Sequence, residues 1–116
     1  MKGIGSVFIA AAALVLVPAV ARAQDQAQVK KGMEVFQAQK CNICHSIAGK
    51  GKKTGPLDDV GRRLSPADIR QWIEDPVAMA AKREPKSTRK PPMKKKEIPA
   101  ADIDSLVAML STLKKT

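Results

Sequence analysis

Both cysteines and the only histidine of this 116-residue chain fall within five positions, Cys41-Asn42-Ile43-Cys44-His45. A chain this short buries a modest share of its surface and commonly needs a cross-link or a bound group to complete its core. Aromatic residues do not meet that need, because Phe8, Phe36 and Trp72 are the only three. A Cys41–Cys44 disulfide would not meet it either, since a bridge across so small a loop removes little chain entropy. The pentapeptide therefore poses the question for the whole fold: what do these three side chains hold?

The start of the chain narrows the setting. Met1-Lys2 gives a short positive opening, Ile4 to Val20 is almost free of polar side chains, and Ala21-Arg22-Ala23 follows. This pattern predicts a secretory signal peptide over residues 1–23, cleaved after Ala23. The competing reading is an uncleaved anchor. The apolar run is 17 residues long, contains Gly5, Ser6 and Pro18, and is short for a full span. No stable membrane insertion is expected once the leader is removed. The mature chain is then a single domain of 93 residues, 24–116.

Removing the leader takes away Lys2 and Arg22 and no acid, so the formal charge falls from +10 to +8. A balance this basic suits nucleic acid, an anionic membrane surface or an acidic protein. Export argues against nucleic acid, as does the shortage of aromatics to stack on bases. An acidic protein partner is the reading that remains.

Along the mature chain the apolar pattern is helical. Val29, Met33 and Phe36, with Val35 beside them, predict a helix over about 26–40. After the pentapeptide comes Gly49-Lys50-Gly51-Lys52-Lys53-Thr54-Gly55-Pro56, an aperiodic glycine and lysine loop. Ser65-Pro66-Ala67-Asp68 reads as a helix start. The helix carries Ile69, Trp72 and Ile73 and should stop at Pro76. Val77 to Lys82 offers another helical turn, while Arg83 to Lys96 is mostly lysine, arginine and proline. Ile103, Leu106, Val107, Leu110 and Leu113 form a stripe that predicts a last helix from Pro99 onward. Lys114 and Lys115 would suit the negative end of its dipole. No stretch alternates with period two. The expected class is all-α, with three main helices and long loops.

The pentapeptide is then read by elimination. Thiol–disulfide enzymes use C-X-X-C, but their fold alternates strands and helices, and no strand is expected here. Structural zinc takes four ligands, and Cys41, Cys44 and His45 are three, two of them adjacent. Covalent haem fits. Both thiols add to the vinyl groups of one haem, and the imidazole of the next residue reaches the iron, which is the C-X-X-C-H attachment signature.

With those residues in view, the mature chain resembles the small class I c-type cytochromes of bacteria. Gly32-x-x-Val35-Phe36 is similar to that family's first helix, and Leu106-Val107-Ala108-Met109-Leu110 to the last helix that crosses it, with Met109 where tyrosine is frequent. The resemblance implies one domain wrapped around a single covalent haem c, attached through Cys41 and Cys44 and ligated by His45. Gly55-Pro56-Leu57 resembles the loop whose proline carbonyl, here that of Pro56, accepts a hydrogen bond from the ligand histidine. Gly61-Arg62 resembles a pair whose arginine holds a haem propionate, with Arg63 an adjacent alternative. Trp72 resembles the residue that covers the haem, its plain alternative being core burial.

The resemblance also implies a methionine on the second face of the iron. Met33 and Met109 fall on helix packing faces, where core filling is the ordinary explanation. Met93 follows Pro91-Pro92 amid lysines, with no apolar stripe to join, and is the expected ligand. Met79 and an open or lysine-bound iron are the alternatives. Lys82, Arg83, Lys86, Arg89, Lys90, Lys94, Lys95 and Lys96 surround that loop. They are either a solvated face or a docking surface that steers an acidic redox partner. The resulting expectation is a periplasmic, monomeric one-electron carrier without enzymatic activity. Its partners would be acidic-faced dehydrogenases, oxidases, reaction centres or other cytochromes. A haem-bearing subunit of a larger oxidoreductase and an open-coordination sensor or peroxidase-like protein are the alternatives.

Overall fold

In the computed structural model, residues 17–88 and 90–115 are described, together with Gly3 and Gly5. Most of the expected leader therefore lies outside the described residues, as does Arg89. Helix α1 spans Val17–Ala38. It begins well before the expected start near residue 26, because the alanine and glutamine run ahead of Val29 consists of good helix formers. Lys40 turns left-handed at φ 58° and leads into a 3₁₀ turn over Cys41–Ile43.

A two-stranded antiparallel hairpin follows, β1 (Ser46–Ile47) and β2 (Lys50–Gly51). The sequence reading expected no strand. Two residues per strand are too few for an alternating pattern to be visible. The expectation of an all-α chain is corrected to a mostly helical domain with this small sheet. After the hairpin come α2 (Val60–Arg63), α3 (Pro66–Glu74), α4 (Pro76–Arg83) and α5 (Ala100–Ser111).

Local sequence sets these boundaries. The Ser65 hydroxyl accepts from the Asp68 N–H at 3.1 Å, so α3 starts where its N-cap serine and following proline predict. Pro76 ends α3 and also opens α4, because a missing N–H costs nothing in a first helical turn. The Asp75 carboxylate caps α4 by accepting from the Ala78 N–H at 3.1 Å. The last helix stops at Ser111, so Lys114 and Lys115 lie beyond it rather than in its final turn. The Lys115 N–H instead donates to the Asp58 carbonyl at 3.0 Å.

The core is the crossing of α1 and α5, with α3 and α2 packed on α5 and α4 leaning on α3. Val35, Phe36, Ile103, Leu106, Val107, Met109 and Leu110 are buried there, joined by Ile69 and Ile73 of α3. Gly32 makes the crossing close. A Cβ at that position would run into the Ser105 carbonyl oxygen and sit 2.5 Å from the Met109 Cβ. Two ionic links hold the outer helices. Arg70 of α3 bridges to Asp104 of α5 and to Glu74, and Arg83 of α4 reaches Asp68 of α3 at 2.7 Å.

Candidate functional site

The chemistry-bearing residues sit where α1 gives way to the hairpin. The 3₁₀ turn folds the pentapeptide back on itself, so that the N–H groups of Cys44 and His45 both point at the Cys41 carbonyl, at 3.2 and 2.9 Å. Cys41 is half-buried, Cys44 is exposed, and neither is in a disulfide. Burial holds the Cys41 thiol above its usual range, with the Lys96 ammonium opposing it in part.

His45 is half-buried, and its Nδ1 lies 3.1 Å from the Gly55 carbonyl oxygen. A carbonyl only accepts, so Nδ1 is the nitrogen that donates to it. A carbonyl behind one ring nitrogen is the arrangement that orients a metal-binding imidazole through the other. The partner carbonyl is that of Gly55 and not of Pro56, one residue further on. Pro56 is exposed and is joined by a parallel bridge to Ser46. The Gly55 carbonyl also accepts from the Ser46 N–H at 3.1 Å, which holds it at the base of the imidazole.

Two glycines allow the chain to close on the pentapeptide. At Gly55 a Cβ would run into the Cys44 carbonyl and come 3.2 Å from His45 Nδ1. At Gly51, with φ +108°, it would meet the His45 carbonyl, with the Asn42 carbonyl 3.0 Å away. The Lys52 N–H completes the wrap by donating to the carbonyls of Asn42 and His45 at 3.1 and 3.2 Å. Sequence reasoning took this segment for an aperiodic loop; its glycine spacing was the available signal. Asp58, whose carboxylate accepts from the Ala48 N–H at 2.7 Å, was missed and has no sequence signal.

The other expected residues are placed as follows. Arg62 and Arg63 both donate to Asp59, at 3.2 and 3.0 Å. The hydrogen bond from Arg63 is the largest of the influences that hold the Asp59 carboxyl below its usual range. Trp72 is half-buried on α3 beside the buried Ile69 and Ile73. Met79 is 3% exposed on α4, whereas Met93 is 42% exposed in the segment between α4 and α5. Met33 is partly buried and Met109 fully buried at the α1–α5 crossing.

The residues present fit a covalently held haem. Two unbridged thiols stand three positions apart, followed directly by an imidazole oriented by the Gly55 carbonyl at Nδ1, and the loop around them has no room for a Cβ at Gly51 or Gly55. Such a motif at the end of the first helix of a mostly helical domain points to the class of c-type cytochromes. The family model described as cytochrome c oxidase, cbb3-type, subunit III matches residues 27–110, and the chain belongs to that family. It is a haem-based electron carrier whose cofactor is covalent haem c. Comparisons with curated proteins and with solved structures gave no match.

Proposed function

We propose that this chain is a soluble, exported one-electron carrier of the periplasm, cut after Ala23, whose haem is joined to Cys41 and Cys44 and ligated by His45 and Met93. The observation that carries the reading is the C-X-X-C-H motif with His45 Nδ1 bonded to the Gly55 carbonyl. When bound, the haem supplies a one-electron iron couple. The protein's own residues do the rest. Cys41 and Cys44 fix the cofactor, and the Gly55 carbonyl keeps the His45 ring in one orientation and tautomer. Arg62 or Arg63 would meet a propionate by sharing or exchanging its bond to Asp59, and Trp72 would cover the ring from α3.

Burial supports Met93 over Met79 as the second axial ligand. Met79 is packed against protein and its burial needs no further explanation, whereas Met93 is a large apolar side chain left exposed among lysines. Its loop ends at Lys96, which influences Cys41, and at Ile98, which packs on the core. The exposed Lys82, Lys86, Lys90, Lys94, Lys95 and Lys96 would orient an acidic redox partner. Arg83 is exposed as well but is paired with Asp68.

The family's description as an oxidase subunit favours a second reading, a haem subunit held within a larger oxidoreductase. Among the described residues no helix is long and apolar enough to cross a membrane, so such a subunit would be held by protein contacts of this domain or by its first residues. The visible spectrum of the purified exported protein, beside Met93→Ala, tests the proposal. A c-type spectrum with the weak far-red band of iron–thioether ligation, lost in the variant, is the expected result. A band that survives in Met93→Ala would move the ligand to Met79. A wild type that lacks the band and binds carbon monoxide readily would favour the sensor or peroxidase-like reading. Elution as a lone monomer supports the carrier, and persistent co-purification with an oxidase supports the subunit.

A further inference from the structure

The hairpin beside His45 turns through only two residues, Ala48 at φ 51° and Gly49 at φ 78°. Positive φ at both positions is the type I′ pattern, which favours asparagine, aspartate or glycine at the first place. This chain has alanine there, whose Cβ disfavours the left-handed region. The missing polar group comes from elsewhere in the fold: the Ala48 N–H donates to the Asp58 carboxylate at 2.7 Å. Asp58 is held from behind by the segment that follows the last helix. Its carbonyl accepts from the Lys115 N–H at 3.0 Å, and nearby the Gly61 N–H donates to the Leu113 carbonyl at 2.8 Å.

Beyond the turn, β1 starts at Ser46, next to His45. The Ser46 N–H donates to the Gly55 carbonyl at 3.1 Å, and the Leu57 N–H donates to the Ser46 carbonyl at 2.9 Å. The carbonyl that meets the imidazole is therefore placed by the same rungs that the turn aligns. We propose that Asp58 is a positioning residue for His45: by tying the Ala48–Gly49 turn to the segment after the last helix, it holds the Gly55 carbonyl against Nδ1. The proposal rests on His45 being the axial ligand. A firm hydrogen bond at Nδ1 raises the basicity of the ligand nitrogen and so favours the ferric state. Loosening it favours the ferrous state.

The test is a spectroscopically monitored redox titration of the holoprotein, with hydrogen exchange of the His45 ring N–H followed by NMR. In Asp58→Ala the ferrous-to-ferric ratio at fixed potential is expected to rise by up to about tenfold, and ring N–H exchange should quicken. Asp58→Asn keeps an acceptor oxygen without the charge and should stay near wild type. The double variant Asp58→Ala with Ala48→Gly relieves the turn without any carboxylate, and should return both readouts toward wild type. That variant remains informative if Asp58→Ala alone does not accumulate.

A melting temperature lowered by Asp58→Ala with both readouts unmoved would make the residue merely structural and overturn the proposal. So would Asp58→Asn or the double variant shifting the ratio as Asp58→Ala does, because lost charge would then be the cause. His45→Ala is the separate control on the ligand reading. If it kept a low-spin spectrum, that reading would fail first and the proposal with it.

Discussion

The two sides of the attachment motif are built in opposite ways. Residues 41–61 on the histidine side are tied by close backbone hydrogen bonds, by Gly51, Gly55 and Gly61 with no room for a Cβ, and by the Asp58 carboxylate. Residues 84–88 and 90–98, which include Met93, are almost wholly exposed, and between Lys90 and Ile98 no backbone hydrogen bond joins described residues. One side is fixed by the polypeptide. The other has little of its own to hold it and, on the proposed reading, is ordered by the iron–thioether bond. This division suits electron transfer, since a histidine fixed by the polypeptide keeps reorganisation small while an exposed basic surface is open to a partner.

Four measurements press on that contrast. The largest stability loss is expected from Gly55→Ala. A new Cβ there meets the Cys44 carbonyl, which is backbone and cannot swing aside, so the loss should be about 3 kcal/mol, at the upper end of overpacking costs. Denaturant midpoints of the holoprotein read it, and a loss below about 1 kcal/mol would mean that the histidine side is softer than described. Met79→Ala comes next. Its buried side chain should cost at least about 2 kcal/mol while leaving the far-red thioether band in place; loss of that band would assign the ligand to Met79.

The methionine side should respond in rate rather than in stability. Lys94→Ala, Lys95→Ala and Lys96→Ala should each change stability by no more than about 0.5 kcal/mol. Electron transfer with an acidic partner should nevertheless slow, and in the wild type the rate should fall steeply as salt rises. A salt-independent rate would remove the docking role from this loop and leave it a solvated face. The smallest effect belongs to Asp59. Its folded pKa is lowered, chiefly by the Arg63 hydrogen bond, so its contribution is fully present above the ordinary aspartate range and fades as pH falls through the lowered value. Melting curves of wild type and Asp59→Asn should therefore differ at neutral pH and converge in acid. Parallel curves at all pH values would mean that the pairing adds no pH-dependent stability.

Much of this was visible in residue order. Ser65-Pro66 announced α3, and the stripe of Ile103, Leu106, Val107 and Leu110 announced α5, because capping and helical spacing are local properties. Gly32 could be read as a contact point, and the structure puts Ser105 and Met109 against it. The hairpin could not be read, because its strands are two residues long and depend on bonds to Gly55 and Leu57 around the next turn. The first helix starts earlier than its apolar spacing predicts, since that spacing marks only the part that packs and not the alanine-rich part before it.

By itself the sequence determined the cofactor chemistry, because thioether attachment and histidine ligation depend on residue types at fixed spacing within one short segment. It also determined where the main helices lie, through caps, prolines and apolar period. Only the tertiary structure decided which carbonyl meets His45, that Arg83 is bound to Asp68 while the neighbouring lysines are exposed, and that Asp58 reaches back to Ala48. Each of these joins residues ten or more positions apart, brought together by the hairpin and the turn after it or by the bend between α3 and α4. A hydrogen bond forms over about 3 Å of space, whatever the distance along the chain.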